Sequence, residues 1–76
     1  MKDLVTHIAR ALVDKPDEVS VAEVTGNHTS VLELKVAKED IGKVIGKQGR
    51  TAQAIRSIVS SVSAKERKRT VLEIMD

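Results

Sequence analysis

The sequence predicts an α+β domain whose elements run helix, strand, strand, helix, helix, strand. Three observations carry that reading. Apolar residues recur at helical spacing at the start and in the middle of the chain, valine-rich or alternating stretches lie between and after them, and glycines stand at the joints. The 76 residues, set against a prior of about 150 per domain, make one domain over 1–76 with one core.

The first helix is read over residues 4–13, where Leu4, Val5, Ile8, Ala9, Leu12 and Val13 share a stripe and Pro16 stands just beyond to stop it. Residues 18–25 are valine-rich with partial alternation and read as a strand. Residues 31–36 alternate cleanly, with Leu32, Leu34 and Val36 on one face and Glu33 and Lys35 on the other. Gly26, Asn27, His28 and Thr29 form the short polar linker that closes a hairpin between the two. A two-turn helix follows over 38–45: Glu39 and Asp40 sit at the positive end of its dipole, Ile41, Val44 and Ile45 make its stripe, and Gly46 stops it. A longer helix over 50–63 sets Ala52, Ile55, Val59 and Val62 on one face, with Ile58 at the edge of the stripe. Ser57, Ser60, Ser61 and Ser63 make it a mediocre helix by propensity, so packing must hold it. Residues 64–69 are a charged connector, and 70–75 a last strand with Leu72 and Ile74 on one face.

Composition narrows the function. The hydrophobic fraction of 41% includes no Phe, Trp or Tyr, so the core is aliphatic and aromatic base-stacking platforms are excluded. Without cysteine there is no disulfide framework, no thiolate zinc site and no cysteine nucleophile. No stretch approaches the roughly 18 apolar residues of a membrane span, and the start leads into an amphipathic pattern, so no membrane partner is expected and the chain reads as cytoplasmic. His7 and His28 are far apart with no third ligand at metal spacing, which implies no metal and no cofactor; His7 belongs on the helix surface and His28 in the hairpin loop. No Ser, His and Asp arrangement or paired-carboxylate motif suggests an enzyme. A domain this small favours a surface site over a deep cleft. The net charge of +2 is uneven: residues 1–42 carry −3 and residues 43–76 carry +5, so a polyanion would dock on the second half.

The informative segment is IGKVIGKQGRTAQAI, residues 41–55, in which Gly46 and Gly49 bracket Lys47 and Gln48 between two helical patterns. One glycine can take positive φ where the first helix ends, and both leave the backbone unshielded. The next helix begins at the same corner, so its unpaired N–H groups and dipole point toward whatever docks there. Lys47 in the loop, Arg50 at the helix start and Lys43 one turn earlier place three cations around one backbone anion site. A nucleotide-hydrolase phosphate loop fits poorly. Gly42 and Gly46 are separated by three residues where that motif needs four, and Gln48 follows the lysine where Ser or Thr would hold magnesium.

This GxxG loop between two helices, preceded by Val44 and Ile45 and following two strands, resembles the KH domain, whose loop clamps the backbone of about four nucleotides. The order of elements resembles the type II form, which implies a three-stranded sheet with helices packed on one face. The whole chain is similar to bacterial stand-alone KH proteins of the KhpA family. Ala52 departs from many KH domains, which carry an aliphatic residue three places after the second glycine, and leaves Ile55 to fill the groove floor. The resemblance implies a single-stranded RNA-binding protein with RNA-chaperone activity and no catalysis. It also implies a homodimer, or a heterodimer with a second KH protein of the KhpB (Jag/EloR) type, acting on cell-wall synthesis and cell shape.

Carried onto this sequence, the resemblance assigns RNA contact to Ile45, Gly46, Lys47, Gln48, Gly49 and Arg50, with Lys43 and Ile55 beside them. Ile45, Ile55 and one face of the second or third strand would line an apolar groove for bases, and each is equally compatible with plain core. The run Lys65, Glu66, Arg67, Lys68, Arg69 fits either added phosphate attraction or an ordinary solvated loop. Ile58 fits an oligomer contact or a partly buried core edge. The alternative function is a protein-interaction module that binds RNA weakly or only in complex with a partner.

Overall fold

The computed structural model describes residues 1–75. Its elements are α1 (Lys2–Leu12), β1 (Ser20–Thr25), β2 (Thr29–Lys35), α2 (Ile41–Ile45), α3 (Arg50–Lys65) and β3 (Arg69–Met75), in the expected α-β-β-α-α-β order. The sheet runs β1-β2-β3; β2 pairs antiparallel with β1 (Val21 opposite Leu34) and parallel with β3 (Leu32 opposite Leu72). Alternation puts Ser30, Leu32 and Leu34 of the central strand inward, where Leu72 joins them from β3 and Val21 from β1. Helices cover this face through Val5 and Ala9 of α1, Val44 of α2, and Ile55 and Val59 of α3. The core is aliphatic, and burying each Val, Leu or Ile contributes about 1.5–3 kcal/mol. No helix among the described residues is long and apolar enough to cross a membrane.

Several boundaries differ from the sequence reading, each for a local reason. Residues 16–18 form a 3₁₀ turn with Pro16 leading it, so β1 begins only at Ser20. The helix expected over 38–45 is divided into a 3₁₀ turn over 38–40 and the short α2. α3 continues to Lys65 and buries Ser63, while Val62 is only half-buried, because Ala52, Ile55, Val59 and Ser63 fall closer to one line at 3.6 residues per turn. The charged connector is a tight cap and not a free loop. Arg67 takes the left-handed conformation (φ 54°), its N–H donates to the Ala64 carbonyl at 3.2 Å, and the Lys68 N–H donates to the Ser63 carbonyl at 3.1 Å. These two bonds form a Schellman closure with Arg67 at the position glycine usually fills.

Asp40, expected at the positive end of the helix dipole, is 1% exposed and bonds elsewhere. Its two carboxylate oxygens accept the backbone N–H groups of Asp14 (3.3 Å) and Lys15 (3.0 Å), which leave the end of α1. No side-chain cap forms at the start of α2. Lys43 reaches back to Asp40 at 3.6 Å and pairs with Asp14, while Lys15 pairs with Glu39 at 2.7 Å. One buried carboxylate thus ties the exit of α1 to the turn that launches α2.

Burial alone would push the Asp40 carboxyl up, but the Lys15 and Asp14 N–H groups and the Lys43 ammonium outweigh it and hold it below its ordinary value. A carboxyl depressed on folding contributes stability above its unfolded pKa, about 3.9, and loses it as the pH falls through the folded value. The unfolding temperature should therefore drop as the pH descends below about 4. Asp40→Asn, whose amide must turn a donor toward one of the two N–H groups, should unfold at lower temperature at neutral pH and show a flatter acid dependence by circular dichroism.

Candidate nucleic-acid interface

α2 ends where Gly46 takes φ 77°, ψ 170°, its N–H still donating to the Gly42 carbonyl at 2.9 Å. Lys47, Gln48 and Gly49 then make one 3₁₀ turn, closed by the Gly49 N–H on the Gly46 carbonyl at 3.1 Å. Gln48 (φ 58°) and Gly49 (φ 74°) are both left-handed. For Gln48 that conformation costs about 1–2 kcal/mol, whereas Gly49 adopts it freely.

The two glycines serve different ends. A Cβ on Gly46 would fall 2.7 Å from Thr51 Cβ and 2.9 Å from the Thr51 nitrogen, and would overlap Thr51 Oγ1. The missing Cβ of Gly46 lets the first turn of α3 approach closely, the close approach expected of a glycine at this corner. Gly49 has nothing within 4 Å of the corresponding position and is the open one.

The corner leaves α3 uncapped: Gly49 is its N-cap, no side chain bonds its first N–H groups, and no acidic residue lies in its first turn. Exposed Lys47 and Gln48 stand before this positive helix end and Arg50 begins it. Lys43 does not join them. It lies on the side of α2 that faces Asp14 and Asp40, and those carboxylates raise its ammonium pKa against a smaller opposing effect of burial. Lys47 and Arg50 enter no ion pair among the described residues, so the loop presents two unmatched cations where three were expected.

Beside the loop runs a groove lined by Ile45, Gln48, Gly49, Gln53, Arg56 and Ile74, with Ala52 at its base. Ile45 is 38% exposed and supplies accessible apolar surface. Ile55 does not: it is 2% exposed and packed into the core, because its position on α3 turns it onto the sheet.

A family model described as the KH domain of KhpA/KhpB matches residues 2–74. The chain belongs to the KhpA/KhpB KH-domain family. It is 60% identical over 75 residues to the RNA-binding protein KhpA of Clostridium acetobutylicum, covering 99% of this chain and all of that protein. The KhpA of Halalkalibacterium halodurans is 54% identical over 76 residues with both chains covered completely, and that of Chlamydia trachomatis 50% identical over all of this chain and 97% of its own. No solved structure matches. The fold of this family member is accordingly the type II KH-like arrangement, with its mixed sheet and three helices.

Two groove residues escaped the sequence reading. Gln53 and Arg56 follow Gly49 at helical intervals of four and seven, so the periodicity of α3 could have placed them on the loop's side. Ile74 belongs to the strand face expected along the groove, and it reaches it because β3 lies beside α3.

The different surroundings of the glycines give a direct check. Gly49→Ala should lower stability by about 1 kcal/mol, the cost of a left-handed alanine. Gly46→Ala adds the collision with Thr51 and should cost more than about 2 kcal/mol by urea denaturation.

Proposed function

We propose that this chain is a noncatalytic single-stranded RNA-binding module that holds the RNA backbone at the loop from Gly46 to Gly49. The observation that carries the reading is the loop itself: Lys47 and Gln48 project, exposed, in front of the uncapped N-terminus of the 16-residue α3. Backbone N–H groups, the helix dipole and the Lys47 and Arg50 charges together favour a phosphodiester. Bases would then lie along Ile45 and Ile74 in the adjoining groove, an aliphatic surface that packs against bases without aromatic stacking. Membership of a family whose relatives carry the name RNA-binding protein supports the same reading.

The finer roles follow from the family resemblance: RNA-chaperone activity, and pairing with itself or with a KhpB-type KH protein in RNA regulation that affects cell-wall synthesis and cell shape. One observation favours a shared assembly surface. Ile58 is 42% exposed and, at about 100° per residue, stands some 200° around α3 from Arg56. A contact made through Ile58 would leave the RNA groove uncovered.

Replacing Lys47 and Gln48 together by Asp should weaken binding to a short single-stranded RNA by more than about tenfold. Unfolding free energy should stay within about 0.5 kcal/mol, because both side chains are exposed and Asp tolerates the left-handed conformation. Fluorescence anisotropy across a salt series reads this; equal binding by both proteins would sink the loop assignment. Ile58→Asp should lower the mass measured by light scattering while RNA binding persists. Loss of both together would instead favour the reading in which RNA is bound only by the assembly.

A further inference from the structure

We infer that the RNA path does not end at the GxxG groove but continues along the outer edge of β3 to a second phosphate subsite formed by Arg56, Ser60, Arg69 and Thr70. The inference rests on the reading that RNA is held at the loop, and it extends the footprint of that site.

Geometry supplies the first argument. A second recess lies between the C-terminal half of α3 and the start of β3, lined by these four residues and Ser63 together with apolar Val59, Val71 and Leu72. Arg56 lines both this recess and the GxxG groove, so the two meet at its side chain. α3 runs antiparallel to β3 here: Ala52 and Ile74 share the first groove, while Ser63 and Thr70 share the second. The distance from Gly49 to Ser63 along the helix is about 21 Å at 1.5 Å per residue. β3 is an edge strand with β2 as its one neighbour among the described residues, so its outer edge is not covered by another strand.

Chemistry supplies the second. Two guanidiniums line one recess, and neither Arg56 nor Arg69 enters an ion pair among the described residues. Unmatched like charges sharing a recess repel, and an anion placed between them relieves that repulsion. Hydroxyls complete the lining. Ser63, 5% exposed, gives its Oγ hydrogen to the Ser60 carbonyl at 3.1 Å, so the donors offered to an anion are the two guanidiniums and the Ser60 and Thr70 hydroxyls. One strand behind Thr70, its register partner Ser30 is 1% exposed and its Oγ has no hydrogen-bond partner. One buried hydroxyl thus stands behind the apolar lining at this end of the sheet.

The Schellman cap sets the position of Arg69. By closing α3 within residues 66–68 it starts β3 immediately at Arg69, whose N–H is fixed on the His28 carbonyl at 3.1 Å. Of the charged run 65–69, the recess takes Arg69 alone. A specific contact at one residue thus replaces diffuse attraction by the whole run.

The test is binding of the full chain to single-stranded RNAs of about four and about eight nucleotides, lengths that fill the GxxG groove alone or reach beyond it. The wild type should bind the longer strand more tightly. Arg69→Gln should weaken the longer strand by about tenfold and flatten its salt slope by about 0.7, the loss of one phosphate contact. The shorter strand should be affected much less. Ser60→Glu, which adds a carboxylate at an exposed helical position, should reproduce that length-dependent loss without removing an arginine. Equal affinity of the wild type for both lengths, or equal losses on both in the variants, would overturn the second subsite while leaving the loop assignment standing. Failure of the loop assignment reads differently: the Lys47, Gln48 double Asp variant would then bind the shorter strand as well as the wild type does.

Discussion

The close approach of Gly46 to Thr51 is the constraint on which the functional surface depends. α2 and α3 are joined by only the residues of the GxxG corner, and the chain can reverse so tightly because Gly46 carries no Cβ where Thr51 stands. Once that contact is made, Gln48 and Gly49 are driven into left-handed conformations and α3 starts without a side-chain cap. The exposed helix end, the outward Lys47 and Gln48, and the groove against Ile45 all follow from one packed backbone contact. The strain at Gln48 is local, and the core beneath α3 sustains it: Ala52, Ile55 and Val59 bury the first three turns of the same helix.

A second anchoring point stands at the other end of α2. A helix of five residues has little stability of its own, since nucleation costs more than so few bonds return. Asp40 compensates by accepting two backbone N–H groups from the α1 exit, and Val44 by inserting fully into the core. The same network draws Lys43 away from the loop. A buried carboxylate is a poor source of net stability because its desolvation opposes its pairing, but it is directional. Here the direction fixes how α2 presents the loop.

Much of the fold was legible because hydrophobic periodicity is a local signal. The periodicity of α1, the alternation of β2 and the GxxG spacing between two helical patterns each lie within one short window, and all three elements form, although Leu4 and Leu12 of the expected α1 stripe are left exposed. The misplaced residues are those whose roles depend on distant partners. Asp40 read as a dipole residue because its partners, Asp14 and Lys15, lie more than twenty positions away. Lys43 read as a loop cation for the same reason. Ile55 fitted groove and core equally by spacing, and only the packing of α3 on the sheet assigned it to the core.

By itself the sequence determined the class of elements, their order, the aliphatic nature of the core and the location of the GxxG corner, since each depends on residue type and short-range spacing. The tertiary structure alone decided which cations remain unmatched, which glycine is conformational and which is steric, and that Arg56 links two recesses across the α3 and β3 boundary. The physical reason is that charge matching and steric contact are pairwise properties in space. Their partners come from separate elements, brought together only when the helices bury their stripes against the sheet.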